Sequence, residues 1–364
     1  MEKISDIIQS IANEKNLKLE DVKNKVFLSL TNTAKKIYGE QYEFFIDPKT
    51  LKLYQKILIV ADDDERLKDD NEHFIALSKA KEQAKEVELG DELTYEYSLQ
   101  NFGRTAINTL YKELEYNIQK LLEENTMQKY KEKIGKIVFG PVVNIDSEEN
   151  TFIEIDEIRA FLPRKNRIKG ENFKVGDVVK AVIRKVYTDK NGIKMELSRT
   201  SPKFLEALLE NAVPEIKDGI VEIKSCARIP GERAKIILTS KNALVDPIGA
   251  TVGQKGVRIN SVSKELHNEN IDCIEFSEEN VITISRALTP ALISSVIIEE
   301  QNEIKKAIVT LKNTDQRSKA IGKNGINIRL ASMLTGFEIE LKEQDDKKVL
   351  NNEEALKNLQ NLFK

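Results

Sequence analysis

One structural unit occurs twice in this chain. A β-compatible stretch from Arg233 to Thr239 leads to the loop Gly253-Gln254-Lys255-Gly256, a helical pattern through Val257, Ile259 and Val262, and a second extended stretch from Ile271 to Phe276. The same order returns with Lys306 to Leu311, Gly322-Lys323-Asn324-Gly325, Ile326, Ile328 and Leu330, and Phe337 to Leu341. The leading glycines lie 69 residues apart. A repeated supersecondary unit outweighs local propensity in choosing a fold, because every copy must bury the same face. At 364 residues the chain is too long for one ordinary core and suits three or four domains of roughly 60 to 130 residues each.

The repeated loop carries chemistry. In a Gly-x-x-Gly turn neither glycine has a Cβ, so a phosphodiester can approach the backbone closely. The loop also opens a helix, whose first amides and dipole favour an anion. Lys255 and Lys323 sit in the loops, with Arg258 and Arg329 on the helices that follow. Such a clamp holds about four nucleotides by their backbone, in the manner of a KH domain.

Upstream, two helical patterns fill the first 38 residues: Ile4, Ile7, Ile8, Ile11, and Val22, Val26, Phe27, Leu30, Ala34, Ile37. Two strands fit between Glu43 and Val60 around the turn Asp47-Pro48, and Leu93 to Leu99 reads as another. A long helix begins at Arg104 and runs to about Lys131, with Ile107, Leu110, Leu114, Ile118 and Leu121 at helical spacing. From Ile134 to Arg199 the character changes to short strands between turn residues: Ile137 to Ile145, Thr151 to Ile155, Arg159 to Leu162, Val178 to Val186, and Ile193 to Ser198. Five strands in that length predict a small closed barrel of the oligonucleotide-binding type. Pro202 starts a short helix with Phe204, Leu205, Leu208 and Leu209, read as a connector into the next unit.

Net charge is −3, which by itself argues against a nucleic-acid partner. The average conceals an asymmetry. Asp62 to Gly90 holds ten acidic and five basic residues, net −5, whereas Phe161 to Thr200 holds eleven basic and four acidic, net +7. Two surfaces with different partners are expected. Within the basic segment Arg164, Lys165, Arg167, Lys169, Arg184 and Lys185 are placed to steer an RNA backbone. Phe161 and Tyr187 are candidate stacking platforms, the alternative for Phe161 being the barrel core. Asp62-Asp63-Asp64-Glu65 reads as a solvated loop, since a metal site would need convergent ligands.

No apolar run reaches the ~18 residues a membrane helix needs, and Met1 to Ser10 lacks the layout of a secretory signal. A cytoplasmic protein is expected. Cys226 and Cys273 lie outside any CxxC spacing, giving neither a disulfide framework nor a zinc site, and read as small buried hydrophobes. His73 and His267 are the only histidines and belong to different segments, so a Ser-His-Asp arrangement has little to stand on. Neither nucleotide-binding glycine fingerprint is present. No catalytic residue, cofactor or metal is therefore expected.

The segments Asp246-Pro247-Ile248-Gly249-Ala250-Thr251-Val252-Gly253 and Ala320-Ile321-Gly322, the latter running through Asn327-Ile328-Arg329-Leu330-Ala331-Ser332, resemble the KH signatures of the NusA family of bacterial transcription factors. Val175-Gly176-Asp177-Val178 and the closing Met195-Glu196-Leu197-Ser198 resemble the end of an S1 domain. Ala234-Lys235-Ile236, Ile271-Asp272 and Leu334 to Ile339 extend the likeness, which covers most of 134–343. Phe102-Gly103-Arg104 is similar to the family motif that precedes its long helix.

The resemblance implies a multidomain α+β fold: an α/β N-terminal domain with a long helix (1–132), a five-stranded S1 barrel of OB type (133–200), tandem KH domains of prokaryotic order (201–284 and 285–345) and a tail (346–364). It further implies a monomer that binds core RNA polymerase through the N-terminal domain, with Phe102 and Arg104 as contacts, and nascent single-stranded RNA through the rest. Other Nus factors are further partners. The RNA contacts it carries over are Gly253, Gln254, Lys255, Gly256 and Arg258, and Gly322, Lys323, Asn324, Gly325, Asn327 and Arg329, beside Arg164, Lys165, Arg184 and Lys185. Pausing, termination and antitermination are the processes such proteins modulate. Two departures stand out. The loops hold Gln254-Lys255 and Lys323-Asn324 where many relatives place arginine, which removes bidentate geometry while keeping charge. The acidic C-terminal repeats of some relatives are expected to be missing. An RNA-decay enzyme with the same modules orders them KH before S1 behind large catalytic domains, for which this chain has no room. A ribosome- or decay-associated RNA-binding protein shares every RNA feature, and the N-terminal domain decides.

Overall fold

The computed structural model describes residues 2–40, 42–69, 73–84, 86–97, 103–156, 158–189, 192–301 and 304–343, arranged in two compact units, Met1–Lys129 and Tyr130–Lys364. Among the described residues no helix is long and apolar enough to cross a membrane.

In the first unit, α1 (Glu2–Lys15) and α2 (Leu19–Tyr38) bury one apolar stripe each: Ile8 and Ala12, then Val22, Val26, Leu30 and Ala34, spaced by fours so that they share a helix face. They lie against a sheet of β1 (Glu43–Ile46), β2 (Leu53–Val60), β3 (Phe74–Ala76) and β4 (Glu92–Tyr97), with the short helices α3 (Arg66–Asp69) and α4 (Leu77–Gln83) between strands. Central β2 runs antiparallel to β1 and β4 and parallel to β3. The long helix α5 (Arg104–Lys131) adds Ala106, Ile118 and Leu121 to the same core. Its Asn117 donates to the Oγ of Ser29 across that core at 2.9 Å, so neither polar group is buried unpaired. The acidic stretch closes its own turns. The Arg66 guanidinium beside Asp64 holds that carboxyl down to about 2, and Asp62 accepts from the Ser78 amide at 2.9 Å. Ser98 and Leu99, the end of the expected strand, lie outside the described residues, as do Phe102 and the tail 346–364.

The second unit begins with the expected barrel. β5 (Ile137–Ile145), β6 (Thr151–Ile155), β7 (Ile158–Leu162), β8 (Val178–Asp189) and β9 (Gly192–Ser198) close in the order β5-β6-β7-β9-β8. Alternate residues fill it: Ile153, Ala160, Leu162, Ala181, Ile183, Met195 and Leu197 are all 1% exposed or less. Gly140 permits closure, since a Cβ there would stand 1.9 Å from the Glu154 carbonyl oxygen.

Two units of equal topology follow. The first comprises α6 (Pro202–Ala212), α7 (Pro214–Lys217), β10 (Val221–Ile229), β11 (Arg233–Ser240), α8 (Pro247–Val252), α9 (Val257–Glu265) and β12 (Asn270–Glu275). The second comprises α10 (Asn280–Ala287), β13 (Ile293–Gln301), β14 (Ile304–Leu311), α11 (Gln316–Ile321), α12 (Ile326–Thr335) and β15 (Glu338–Glu343). In each, the middle strand is antiparallel to the strand before it and parallel to the one after the helix pair, the prokaryotic KH order. The helix from Pro202, expected as a connector, is instead the heart of the first KH core. Phe204, Leu205 and Leu209 are fully buried, and Ser201 caps the helix through a bond from the Lys203 amide.

Charged seams hold these parts together. Arg199, at the end of the barrel, donates from Nε to Glu171 at 2.9 Å, and from Nη1 and Nη2 to the carboxylate and carbonyl of Glu265 on α9 at 3.0 and 2.8 Å. Arg228 and Glu269 form an ion pair with both side chains fully buried, Nε to the two carboxylate oxygens at 2.8 and 2.9 Å. Arg228 also donates to the carbonyls of Arg199 and Ser201, while Glu269 accepts from the Gly231 amide at 2.8 Å. The KH units share one apolar cluster, in which Ala227, Ile237 and Ile274 of the first meet Ile284, Leu288, Leu330 and Leu334 of the second.

Removing one partner of a buried pair leaves an uncompensated charge, a larger effect than losing the pair's net attraction. Glu269→Ala is expected to destabilise the second unit by about 3–5 kcal/mol in urea unfolding followed by circular dichroism. A loss below about 1 kcal/mol would contradict this role for the seam.

Candidate nucleic-acid interface

The two Gly-x-x-Gly loops are the same object twice. Gly253 and Gly322 have φ of 75° and 74°, Lys255 and Asn324 both 52°, and Gly256 and Gly325 75° and 73°. Left-handed φ at the flanking positions favours glycine, and a lysine or asparagine held there between two glycines marks a turn its surroundings impose. Gln254, Lys255, Lys323 and Asn324 are exposed, so the turns face solvent with α9 and α12 starting directly behind them.

What imposes the turn is the residue five positions after the first glycine. In the first loop this is Arg258, whose Nη1 donates to the Ala250 carbonyl at 2.6 Å and to Glu215 at 2.8 Å. In the second it is Asn327, 1% exposed, whose Nδ2 donates to the carbonyls of Lys319, Ala320 and Leu288 at 3.1, 3.2 and 3.1 Å. Each lies against its leading glycine. A Cβ on Gly253 would come 2.8 Å from the Arg258 Cγ, and one on Gly322 2.7 Å from the Asn327 Cβ. Asn327, expected among the RNA contacts, therefore sits beneath its loop with its amide donors engaged, while Arg258, also expected there and only partly buried, commits its Nη1 to protein. The 69-residue offset that aligns the loops also aligns this pair. Arg329, by contrast, is exposed.

Ahead of the first loop, the Asp246 carboxylate accepts from the amides of Ile248 and Gly249 at 3.0 Å each, capping α8 with Pro247 at its first position. Gly249 makes that cap possible, because a Cβ there would stand 2.6 Å from the Asp246 Oδ2.

On the barrel, a cavity of about 880 Å³ is lined by Phe161, Arg164, Lys165, Arg167, Lys169 and Glu149 among others. Phe161 is half-buried, and its neighbours Ala160 and Leu162 fill the core, so the question the sequence leaves open resolves toward the outer wall. Across that wall Phe152, Phe161, Glu196 and Lys185 lie in register on β6, β7, β9 and β8. Arg164 and Arg167 share Glu149 at 3.2 and 2.8 Å, and Arg184 pairs with Glu196 at 2.9 Å. The Lys185 ammonium stands 5.2 Å from the Tyr187 ring centroid. The structure thus brings Arg164, Lys165 and Arg184 to one charged, aromatic-walled face on which Glu148, Glu149, Glu171 and Glu196 also lie, with Lys185 and Tyr187 beside it.

Sequence reasoning missed two clefts. One, of about 510 Å³, lies beside β12 and is lined by Arg233, Lys235, Ile248, Asp272, Cys273 and Arg286 among others. The other, of about 280 Å³, opens at Gly322, Lys323 and Ile326. Lys235 is fully buried, its Nζ donating to Asp272 at 2.9 Å and to the Thr289 carbonyl at 3.2 Å, and burial pushes its amine below the ordinary lysine value against the pull of Asp272. Burial pushes the Cys226 and Cys273 thiols up to about 12, which keeps them protonated and unreactive. In the first unit Arg104 is exposed at the start of α5.

Known proteins share this arrangement. The chain matches the NusA N-terminal domain over residues 3–125, the NusA-like first KH domain over 199–276 and the NusA-like second KH domain over 280–349. It is 45% identical over 363 residues to the transcription termination/antitermination protein NusA of Helicobacter pylori strain J99, covering 93% of this chain and 92% of that protein. The protein of the same name from Thermus thermophilus is 38% identical over 307 residues, covering 84% and 78%. Matched in three successive domains and over nearly the full length of such relatives, the chain belongs to the NusA family.

Proposed function

We propose that this chain is a non-catalytic, RNA-binding transcription elongation factor that binds core RNA polymerase and nascent RNA and modulates pausing, termination and antitermination. The observation that carries the RNA half is the identity of the two loops in backbone conformation, each solvent-facing and each opening a helix. Their amides and the helix starts behind them favour phosphate, with Lys255 and Lys323 adding point charge without a fixed fork. Beside each loop, β12 and β15 pair with a neighbour on one edge only among the described residues, so backbone donors and acceptors on the other edge are available to base edges.

Division of labour follows the domains: 1–132 for polymerase, 133–200 for RNA on the barrel, and the two KH units for the two grips on the strand beyond it. A continuous single strand lies across barrel and KH units, each module raising the effective concentration for the next. The names of the relatives support a role at termination and antitermination, with other Nus factors as further partners in the cytoplasm. The acidic asymmetry of the first unit and exposed Arg104 support polymerase as its partner.

Lys255→Asp with Lys323→Asp is expected to weaken binding of single-stranded RNA and flatten the dependence of log K on log salt, by roughly one unit per lost phosphate contact. An unchanged slope would remove the loops as phosphate clamps. For the protein partner, the tagged full chain is expected to retain core RNA polymerase from a bacterial lysate, and Arg104→Glu to retain less. Recovery of ribosomal subunits without polymerase would favour the ribosome-associated reading.

A further inference from the structure

Arg233 begins β11 at the seam between the KH units, and it is the one residue common to the linings of both clefts there. On one side the larger cleft runs along β12 past Lys235 and Asp272. On the other, Glu232, Arg233 and Asn270 face Gly322, Lys323 and Ile326 at the mouth of the second loop. The second unit's phosphate-binding turn thus opens onto the first unit's sheet rather than onto a separate surface.

The state of the side chain is as telling as its place. Neighbouring arginines hydrogen-bond to protein through their side chains: Arg199 to Glu171 and Glu265, Arg228 to Glu269, Arg258 to Ala250 and Glu215. The Arg233 side chain makes no hydrogen bond among the described residues. Its Nε is shut off from solvent without a hydrogen-bond partner, its ion pair with Asp272 standing at 3.4 Å to an oxygen already held by Lys235 at 2.9 Å. The side chain as a whole is 34% exposed. A guanidinium fork placed at the meeting of two clefts, held by one long ion pair and by no side-chain hydrogen bond among the described residues, matches a tetrahedral oxyanion best. With Arg233, the cations Lys235, Arg286 and Lys323 line the same clefts against three carboxylates, of which Asp272 is engaged by Lys235 at 2.9 Å and Glu275 by Arg286 at 3.1 Å.

The seam also fixes the distance a ligand must cross. Lys235 donates to the Thr289 carbonyl at 3.2 Å and the Ser225 hydroxyl to the Leu334 carbonyl at 2.9 Å, both between the KH units. Resting on the RNA-binding function above, we propose that Arg233 grips the phosphodiester joining the nucleotides in the first KH cleft to those on the second KH loop. The two modules then read one uninterrupted strand in a fixed register, without a looped-out spacer.

The test uses the full chain with two unstructured RNA oligonucleotides, one of about four nucleotides, the span of a single KH grip, and one of about ten, long enough for both. Arg233→Ala is expected to weaken the longer RNA roughly tenfold, the scale of one lost charge-assisted contact, and to leave the shorter within about twofold. Independently of any variant, a scan of neutral methylphosphonate linkages along the longer RNA should find one linkage whose neutralisation weakens the wild-type protein but adds nothing in Arg233→Ala. Equal effects on both oligonucleotides, or no linkage coupled to Arg233, would overturn the junction. If Lys255→Asp with Lys323→Asp still weakens both RNAs in that case, the RNA-binding function stands and only the junction falls. If that double variant also leaves both unchanged, the function itself falls.

Discussion

The structure turns on a strained turn that its own protein holds in place. In both KH units the chain enters the left-handed region at a glycine, passes through a lysine or asparagine at φ 52°, and leaves through a second glycine into a helix. Unsupported, such a turn would sample many conformations, and its amides would converge on an anion only part of the time. Arg258 and Asn327 prevent this by bonding the carbonyls that precede the turn, packed so closely under the leading glycine that no Cβ fits there. Two different side chains reach the same result, a long guanidinium in one unit and a short amide in the other. The constraint is thus on the carbonyl to be satisfied rather than on residue type.

Around these turns the molecule is organised for fixed geometry. The barrel and first KH unit meet through Arg199 and its two glutamates, and the base of the KH sheet is pinned by the Arg228–Glu269 pair. Buried pairs of this kind are poor sources of net stability but permit few alternative arrangements, because each misalignment leaves a charge unpaired. The shared apolar cluster between the KH units adds the non-directional part of the attraction. A seam so built places one cleft against the next loop in a constant relation, which a bending linker would not.

Much of this was legible in the amino-acid order. All five barrel strands follow from alternation between turn residues, since the inward positions from Ile153 to Leu197 alternate with polar ones. The KH pair follows from the repeat, which points to the loops directly. Less visible were β10 and β13. Both carry a register shift, between Ile223 and Ser225 and between Ile293 and Ser295, and a bulge breaks the period on which a strand is read. The helix at Pro202 reads as a connector because the partners of its apolar face, among them Val221, Ala234, Ile236 and Leu238, lie on strands further along the chain. Among site residues, exposed Lys255 and Lys323 could be read from the motif, whereas the burial of Asn327 and the inward bonds of Arg258 could not: a basic or polar residue in the first turn of a helix looks equally suited to solvent. Arg233 carries no local signal at all. Its significance lies in two clefts that meet only in the folded chain.

The central claim is that the two paired-glycine turns are the points at which this protein holds a polynucleotide backbone. The most direct measurement is a titration of the isotope-labelled full chain with single-stranded RNA, following the backbone amide resonances by nuclear magnetic resonance. The account predicts that the amides of Gly253, Lys255 and Gly256 and those of Gly322, Lys323 and Gly325 shift together, along one saturation curve. Saturation elsewhere on the molecule while both sets stay unmoved would contradict it.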